Sequence, residues 1–383
     1  MGDDALNSRI RVGIIGSGFM SKGLTMALHN QDDIIVSKVL TRSDPSLRTD
    51  FPLPILTNSL PDLLKHSDVI VECSGDVVYA TDAVAEILDH DLPVITLNPA
   101  LHITSGSYLN TLGWFSEAEG DQPGCLAALA ESLTSCGFCP IIYGNIKGYQ
   151  KLFPDPKHME VWATHLGISL REAIANTDGT KLQIEQCLVA NWFDTAIACE
   201  GMIGLDCKTI EGGAQALTSY TDVVPITDYL VPQYGYPGVF ILADCPDEYQ
   251  HPYLHYLKLG SGPYLFSTNY HLCHLEVIKT IRRWHEDKPV LINNGLSTPS
   301  FSVAAVAKRP ISLGERVLGI GSEDVRGIIV EIATRPDHLP IGLIHEARAK
   351  RTVAAGQILA MDDVFLPDTL ALRAWSEYHA NTK

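Results

Sequence analysis

The chain has 383 residues, 46% of them apolar and 19% charged, with a formal net charge of −17. That length can bury substantial cores and suggests two or three domains. So acidic a balance argues against nucleic acid or an anionic membrane as partner, and no apolar run is long enough to span a bilayer.

The start, Met1 to Arg11, carries Asp3 and Asp4 and lacks an apolar core segment, so no secretory signal is expected. Nine cysteines, an odd number scattered along the chain, fit reduced thiols and a cytoplasmic location. Cys136-Gly-Phe-Cys139 is a lone C-x-x-C without a second pair at zinc spacing. It is read as two ordinary thiols, buried or half-buried.

In chain order, residues 10–16 read as a short buried strand ending in glycine, and 19–29 as a helix. Residues 34–40 form a second, β-branched strand. Residues 60–65 suit a short helix with Ser59 as N-cap and Pro61 in its first turn. Residues 68–72 and 93–97 read as strands, with a helix at 80–89 between them. Alternating strands and helices with strands apolar throughout predict a parallel sheet covered on both faces.

The pattern then changes. Helices are expected at 124–135, 181–193 and 272–284, and a strand at 140–143. Residues 231–243 and 253–266, aromatic and punctuated by Gly and Pro, read as antiparallel strands. From about Ser302 short strands and turns dominate, with 304–317 and 350–364 as two related pieces. The fold class is therefore α/β: a parallel nucleotide-binding sheet (1–140), an α+β substrate or catalytic domain (141–300) and a small β-rich C-terminal module (301–383).

Gly16-Ser17-Gly18-Phe19-Met20-Ser21 follows a strand and opens a helix, the context of a Rossmann dinucleotide loop. Gly16 makes the tight turn and Gly18 admits the pyrophosphate to the helix amides. Ser21 replaces the third glycine and is small enough for helix–strand packing. At the end of the second strand, Thr41, Arg42 and Ser43 stand where NAD sites usually carry an acid. They favour NADP through a 2′-phosphate contact; Asp44 keeps NAD as the alternative. Cys73, Ser74 and Gly75 follow the third strand and Asn98 the fourth, so both loops are expected to border cofactor and substrate.

Glu72-Cys-Ser-Gly75 with Val94-Ile-Thr-Leu-Asn98, and later Asp178-Gly-Thr-Lys181-Leu182, resemble homoserine dehydrogenase. Glu119-Gly-Asp121, Gly144-Asn-Ile-Lys147-Gly148 and the C-terminal pieces resemble homoserine dehydrogenase-like proteins ending in a SAF module. Pro99 replaces the lysine that follows that family's asparagine, and the Asp178–Lys181 spacing is one residue short. The resemblance implies a nicotinamide-dependent oxidoreductase with Lys181 as proton donor, a small-molecule substrate and a homo-oligomeric assembly. Relatives similar to deoxyxylulose phosphate reductoisomerase show how far the substrate varies.

Hydride transfer to a carbonyl needs a group that protonates the developing alkoxide. Lys181 and Lys147 are the candidates. Asp178 precedes Lys181, and Glu185 falls one helical turn beyond it on the same face. Asn145 is a candidate for a substrate hydroxyl or carbonyl, and Glu119 and Asp121 for a polar substrate. His271 is a further substrate candidate. In a helix, His271, His274 and Glu276 offer an alternative metal set, and Lys279, Arg282 and Arg283 an anion pocket. The leading expectation is an NAD(P)-dependent dehydrogenase or reductase on a small hydroxy or oxo compound. The alternatives are a metal-dependent NADPH reductoisomerase on a sugar phosphate and a non-catalytic nucleotide-binding sensor.

Overall fold

A computed structural model describes residues 9–49, 51 and 55–379; the expectation for the start of the chain falls on residues 1–8 and lies outside them. The protein divides into two compact units. The first holds the described residues up to Asp121 with Leu272–Ser297 and Thr369–Tyr378; the second holds Gln122–His271 and Thr298–Asp368. Among the described residues no helix is long and apolar enough to cross a membrane.

The first unit opens with β1 (Ile10–Ile15), α1 (Phe19–His29), β2 (Ile34–Leu40), β3 (Leu56–Thr57) and α2 (Leu60–Lys65). It continues with β4 (Val69–Glu72), α3 (Val77–Asp89), β5 (Val94–Thr96), α4 (Pro99–Leu101), α5 (Ser107–Leu109) and β6 (Phe115–Glu117). Six parallel strands pair in the order β3-β2-β1-β4-β5-β6, so the winding reverses between β1 and β4. Alternate residues bury both faces, as the continuous apolar runs require. Val12 and Ile14 pack with Leu24 and Leu28 of α1. Ile15 and Ile70 pack with Val84, Ile87 and Leu88 of α3. Ser59 caps α2, accepting from the Asp62 amide at 3.3 Å. Between α4 and α5 the chain makes a π-turn, His102–Gly106, which the residue pattern had not indicated.

The second unit starts with α6 (Gln122–Ser135), β7 (Cys139–Ile146), α7 (Pro156–Leu166), α8 (Leu170–Thr177) and α9 (Thr180–Phe193). There follow β8 (Leu205–Cys207), α10 (Ile210–Leu217), β9 (Ile226–Pro232), β10 (Gly238–Asp244), α11 (His251–Tyr256) and β11 (Tyr264–Thr268). The five strands form a mixed sheet, β11-β10-β7-β9-β8. Period-two alternation sorts β7 between two faces. Ile142 and Ile146 enter an apolar cluster with Ala214 and Leu217 of α10. Tyr143 and Asn145 point to the other face, where Asn145 meets α6 and α9.

The chain then adds α12 (Val277–His285) to the first unit. Strands β12 (Phe301–Ala307), β13 (Arg316–Val317), β14 (Val325–Glu331), β15 (Ala347–Ala349) and β16 (Val364–Phe365) belong to the second, and α13 (Leu370–His379) ends the described chain. β12 and β14 form a seven-pair antiparallel hairpin, and β13, β15 and β16 a small antiparallel sheet.

Three expectations need correction. Residues 253–266 are not all strand: α11 occupies His251–Tyr256, entered through a 3-10 turn capped by Asp247 and with Pro252 in its first turn. The helix expected over 272–284 begins only at Val277. The Glu276 carboxylate accepts the Leu272 amide at 2.8 Å, closing a 3-10 turn at Cys273–Leu275 instead. Cys136 and Cys139 are exposed free thiols, because they flank the tight turn between α6 and β7.

Candidate active site

In the first unit, β1 delivers the chain into a turn that only glycine fits comfortably. Gly16 has φ +94°, and a Cβ there would lie 3.0 Å from the Cys73 carbonyl oxygen. Gly18 begins α1 without a side-chain cap, and a Cβ on it would meet nothing within 4 Å. The first-turn amides of α1 carry the positive end of the helix dipole at this turn. Phe19 is exposed and Met20 half-buried. Ser21 is fully buried, as its packing role requires.

Ser17 is held from two sides: its hydroxyl lies 2.9 Å from Thr41 Oγ1, and Arg48 donates to its hydroxyl and, at 2.6 Å, to its carbonyl. Arg48 escaped the sequence reading because it lies beyond the strand tip, in a turn without periodicity. Arg42 pairs with Asp76 at 3.2 Å, and its guanidinium stands 4.7 Å over the Tyr79 ring, its side chain 64% exposed. Ser43 donates its amide to Thr41 Oγ1 at 3.2 Å.

The loop after β4 is tied down by a residue not singled out from sequence. Glu72 is fully buried and accepts from the Ser74 amide and hydroxyl, both at 2.5 Å, and from Thr96 Oγ1 at 2.7 Å. Thr96 Oγ1 in turn accepts the Asn98 amide at 3.0 Å. One carboxylate thus ties the 73–75 loop to the residues after β5. Burial pushes Glu72 above the ordinary carboxylate range, against the pull of those hydrogen bonds. Burial beside Glu72 also pushes the Cys73 thiol well up, so it stays protonated. A glutamate closing an apolar strand was the available signal. The glycine cradle, the uncapped helix start and the β1/β4 reversal fit a dinucleotide.

In the second unit, β7 and α9 bring four predicted residues together. Glu185 is wholly buried on α9. Its Oε2 accepts from Asn145 Nδ2 at 2.9 Å and from Lys147 Nζ at 3.2 Å; Lys181 Nζ stands 3.7 Å from Oε1. Lys147 also donates to Gln122 Oε1 at 2.7 Å, and Gln122 donates to Asn145 Oδ1 at 2.6 Å. Lys147 is 14% exposed and Lys181 33%. Two ammonium groups thus converge on one carboxylate. Gln122, the first residue of α6, went unnoticed because its partners lie 23 and 25 positions away.

The other candidates are differently engaged. Asp178 is fully buried, but it is paired with Lys308 Nζ at 2.9 Å and accepts the Thr180 amide at 2.9 Å. Glu119 pairs with Lys279 at 2.6 Å, and Lys279 with Glu276 at 2.8 Å. Burial lowers Lys279, but those two carboxylates outweigh it and hold the ammonium above its usual range. Arg282 pairs with Asp33, and Arg283 donates to the Pro289 carbonyl. Asp121 is buried. His271 precedes the 3-10 turn and His274 lies within it, packed on Gly23, so no helix aligns the two. Among the described residues no group of three or more His, Cys, Asp and Glu is gathered for a metal.

The order of the parallel strands and the glycine turn after β1 are those of a dinucleotide-binding domain. Residues 12–121 match the family model for the homoserine dehydrogenase NAD-binding domain, and residues 120–277 that for the oxidoreductase DRL catalytic domain. The two matches lie in succession along the chain and support a dehydrogenase or reductase. Comparison with curated proteins returned no match. Among solved structures, it is similar to a homoserine dehydrogenase from Thiobacillus denitrificans, at 12% identity and TM-score 0.50, over 91% of this chain and 98% of that one. A hyperthermophilic archaeal homoserine dehydrogenase in complex with NADPH matches at 13% identity and TM-score 0.46, over 74% and 99%. A probable dehydrogenase from Thermotoga maritima matches at 12% identity and TM-score 0.43, over 74% and 91%.

Proposed function

We propose that this protein transfers hydride between NADP and a small anionic hydroxy or oxo compound, with Lys181 as the general acid and base. The carrying observation is the convergence of Lys147 and Lys181 on the buried carboxylate of Glu185. Both ammonium groups are of the kind that meets a carboxylate or phosphate on a substrate.

When bound, the nicotinamide supplies or takes the hydride. The chain's own residues handle the proton. In reduction, Lys181 Nζ gives a proton to the oxygen of the former carbonyl; in oxidation, the Lys181 amine takes the hydroxyl proton. Lys147, fixed by Gln122 and Glu185, supplies a standing positive charge against the developing alkoxide. Asn145 keeps Glu185 in place. Arg42, Thr41, Ser43 and Arg48 support the preference for NADP over NAD. Nine cysteines, none in a disulfide, support a reducing, cytosolic setting.

Fluorescence titration with NADPH and NADH tests the first half, followed by a panel of hydroxy acids, amino alcohols and sugar phosphates. Lys181→Met should abolish turnover and keep nucleotide affinity. Failure to bind either nucleotide, or full turnover by Lys181→Met, overturns the reading.

A further inference from the structure

We propose that the C-terminal hairpin is a working part of the acid–base site: Lys308, through its buried ion pair with Asp178, is a positioning residue that sets the first turn of α9 and with it Lys181. The proposal rests on the reading of Lys181 given above.

Helix α9 carries two stripes. Lys181 and Glu185, four apart, share one of them. Thr180, Gln183, Cys187 and Asn191, at spacings of three and four, form the other. Three of those four meet β12 or β14 by side-chain hydrogen bonds to backbone. Thr180 Oγ1 accepts the Gly327 amide at 2.9 Å, and Gln183 Oε1 the Ile329 amide at 2.8 Å. Asn191 meets Phe301 twice, accepting its amide at 2.9 Å and donating to its carbonyl at 3.0 Å. These bonds set the register of helix against hairpin. A slip by one residue would leave buried amides without partners, which is costly.

At the start of α9 the fixing is ionic. Lys308, the residue after β12, reaches Asp178 Oδ2 at 2.9 Å with its side chain only 6% exposed. The other oxygen, Oδ1, accepts the Thr180 amide at 2.9 Å, one residue before Lys181. Burial pushes Asp178 above the ordinary carboxylate range, while Lys308 pulls it back down. Removing one member of such a pair leaves an uncompensated buried charge and releases the turn it held.

The test reads the lysines directly and needs no substrate. Competitive labelling with acetic anhydride, quantified by mass spectrometry, reports the reactivity of each amine in the full chain. In Lys308→Gln, Lys181 should label at a severalfold different rate, with Lys65 and Lys288 unchanged as remote controls. The double variant Asp178→Asn with Lys308→Gln restores a neutral hydrogen-bonded pair and should return Lys181 to its wild-type rate. A wild-type rate at Lys181 in Lys308→Gln overturns the proposal. Should Lys308→Gln not fold, Asp178→Asn alone decides: an altered Lys181 rate supports the proposal, an unaltered one overturns it. Turnover by Lys181→Met would sink the acid–base reading without touching this result, so the two failures remain distinguishable.

Discussion

Lys147 Nζ lies 3.2 Å from Glu185 Oε2, on a carboxylate that is wholly buried and 38 positions away. Burial makes the pair asymmetric. Lys147 keeps Gln122 as a second partner, whereas Glu185 is the carboxylate for both lysines. Glu185→Gln retains the shape and removes the charge. Turnover should fall by about 10²-fold or more, the usual scale for disabling acid–base machinery. Stability should drop by about 1–3 kcal/mol, the cost of an unsatisfied buried group. Steady-state kinetics and urea unfolding check the two numbers, and nucleotide affinity should not change.

The arginines near β2 should differ in their effects. Arg42 stands exposed over Tyr79 and pairs with Asp76, a contact it can exchange for a 2′-phosphate. Arg42→Ala should weaken NADPH about tenfold or more and leave NADH nearly unchanged, as expected for one charge-assisted contact. Arg48 braces Ser17 inside the glycine turn, so Arg48→Ala should weaken both nucleotides together. Parallel fluorescence titrations separate the outcomes. Equal losses in Arg42→Ala would remove it from nucleotide discrimination.

What could be read from the residues followed the range of the interaction. Strand β2 and helices α1 and α2 were legible to the residue, since period, cap and apolar run are local signals. The grouping of Lys181 with Glu185 was legible too, being one helical turn. Lys147 was found as a candidate, but its bond to Gln122 depends on how α6 packs on β7. Asp178 was expected beside the lysine. Its partner Lys308 is 130 positions away, and no local pattern announces a pairing of that range. The π-turn at His102 and helix α11 were missed for a related reason: side-chain capping and burial, not periodicity, set them.

His102 predicts an acid-sensitive term in stability. Its ring is fully buried against Phe115, with centroids 4.3 Å apart, and burial lowers it to about 3 from 6.5. Glu117 Oε2 is 3.5 Å away, close enough for an ion pair, but desolvation dominates and the imidazole stays neutral. The folded value lies below the unfolded one. The stabilisation is therefore present above pH 6.5 and is lost as pH falls toward about 3. Glu72 has the opposite sign: its folded value is raised, so its contribution is present below 4.5 and lost as pH rises. Comparing wild type with His102→Gln isolates the first effect. Below pH 6.5 the thermal midpoint of wild type should fall more steeply than that of the variant. Parallel curves would show that His102 titrates normally.

The two glycines of the first loop should fail in different ways. At Gly16 the backbone lies at φ +94°, and a Cβ would crowd the Cys73 carbonyl at 3.0 Å. Gly16→Ala strains the fold itself, by about 1 kcal/mol or more, and should lower the thermal midpoint. Gly18 sits at φ −83° and ψ −163°, which any residue adopts, with open space around the Cβ position. Gly18→Val should therefore fold, with no more than the modest loss of midpoint that valine costs at a helix N-cap. If the space it fills is the path of a pyrophosphate, nucleotide affinity should drop about tenfold or more, because the branched side chain covers the helix amides. A thermal scan and a fluorescence titration on each variant give the contrast. A Gly18→Val protein that binds nucleotide like wild type would place the pyrophosphate elsewhere.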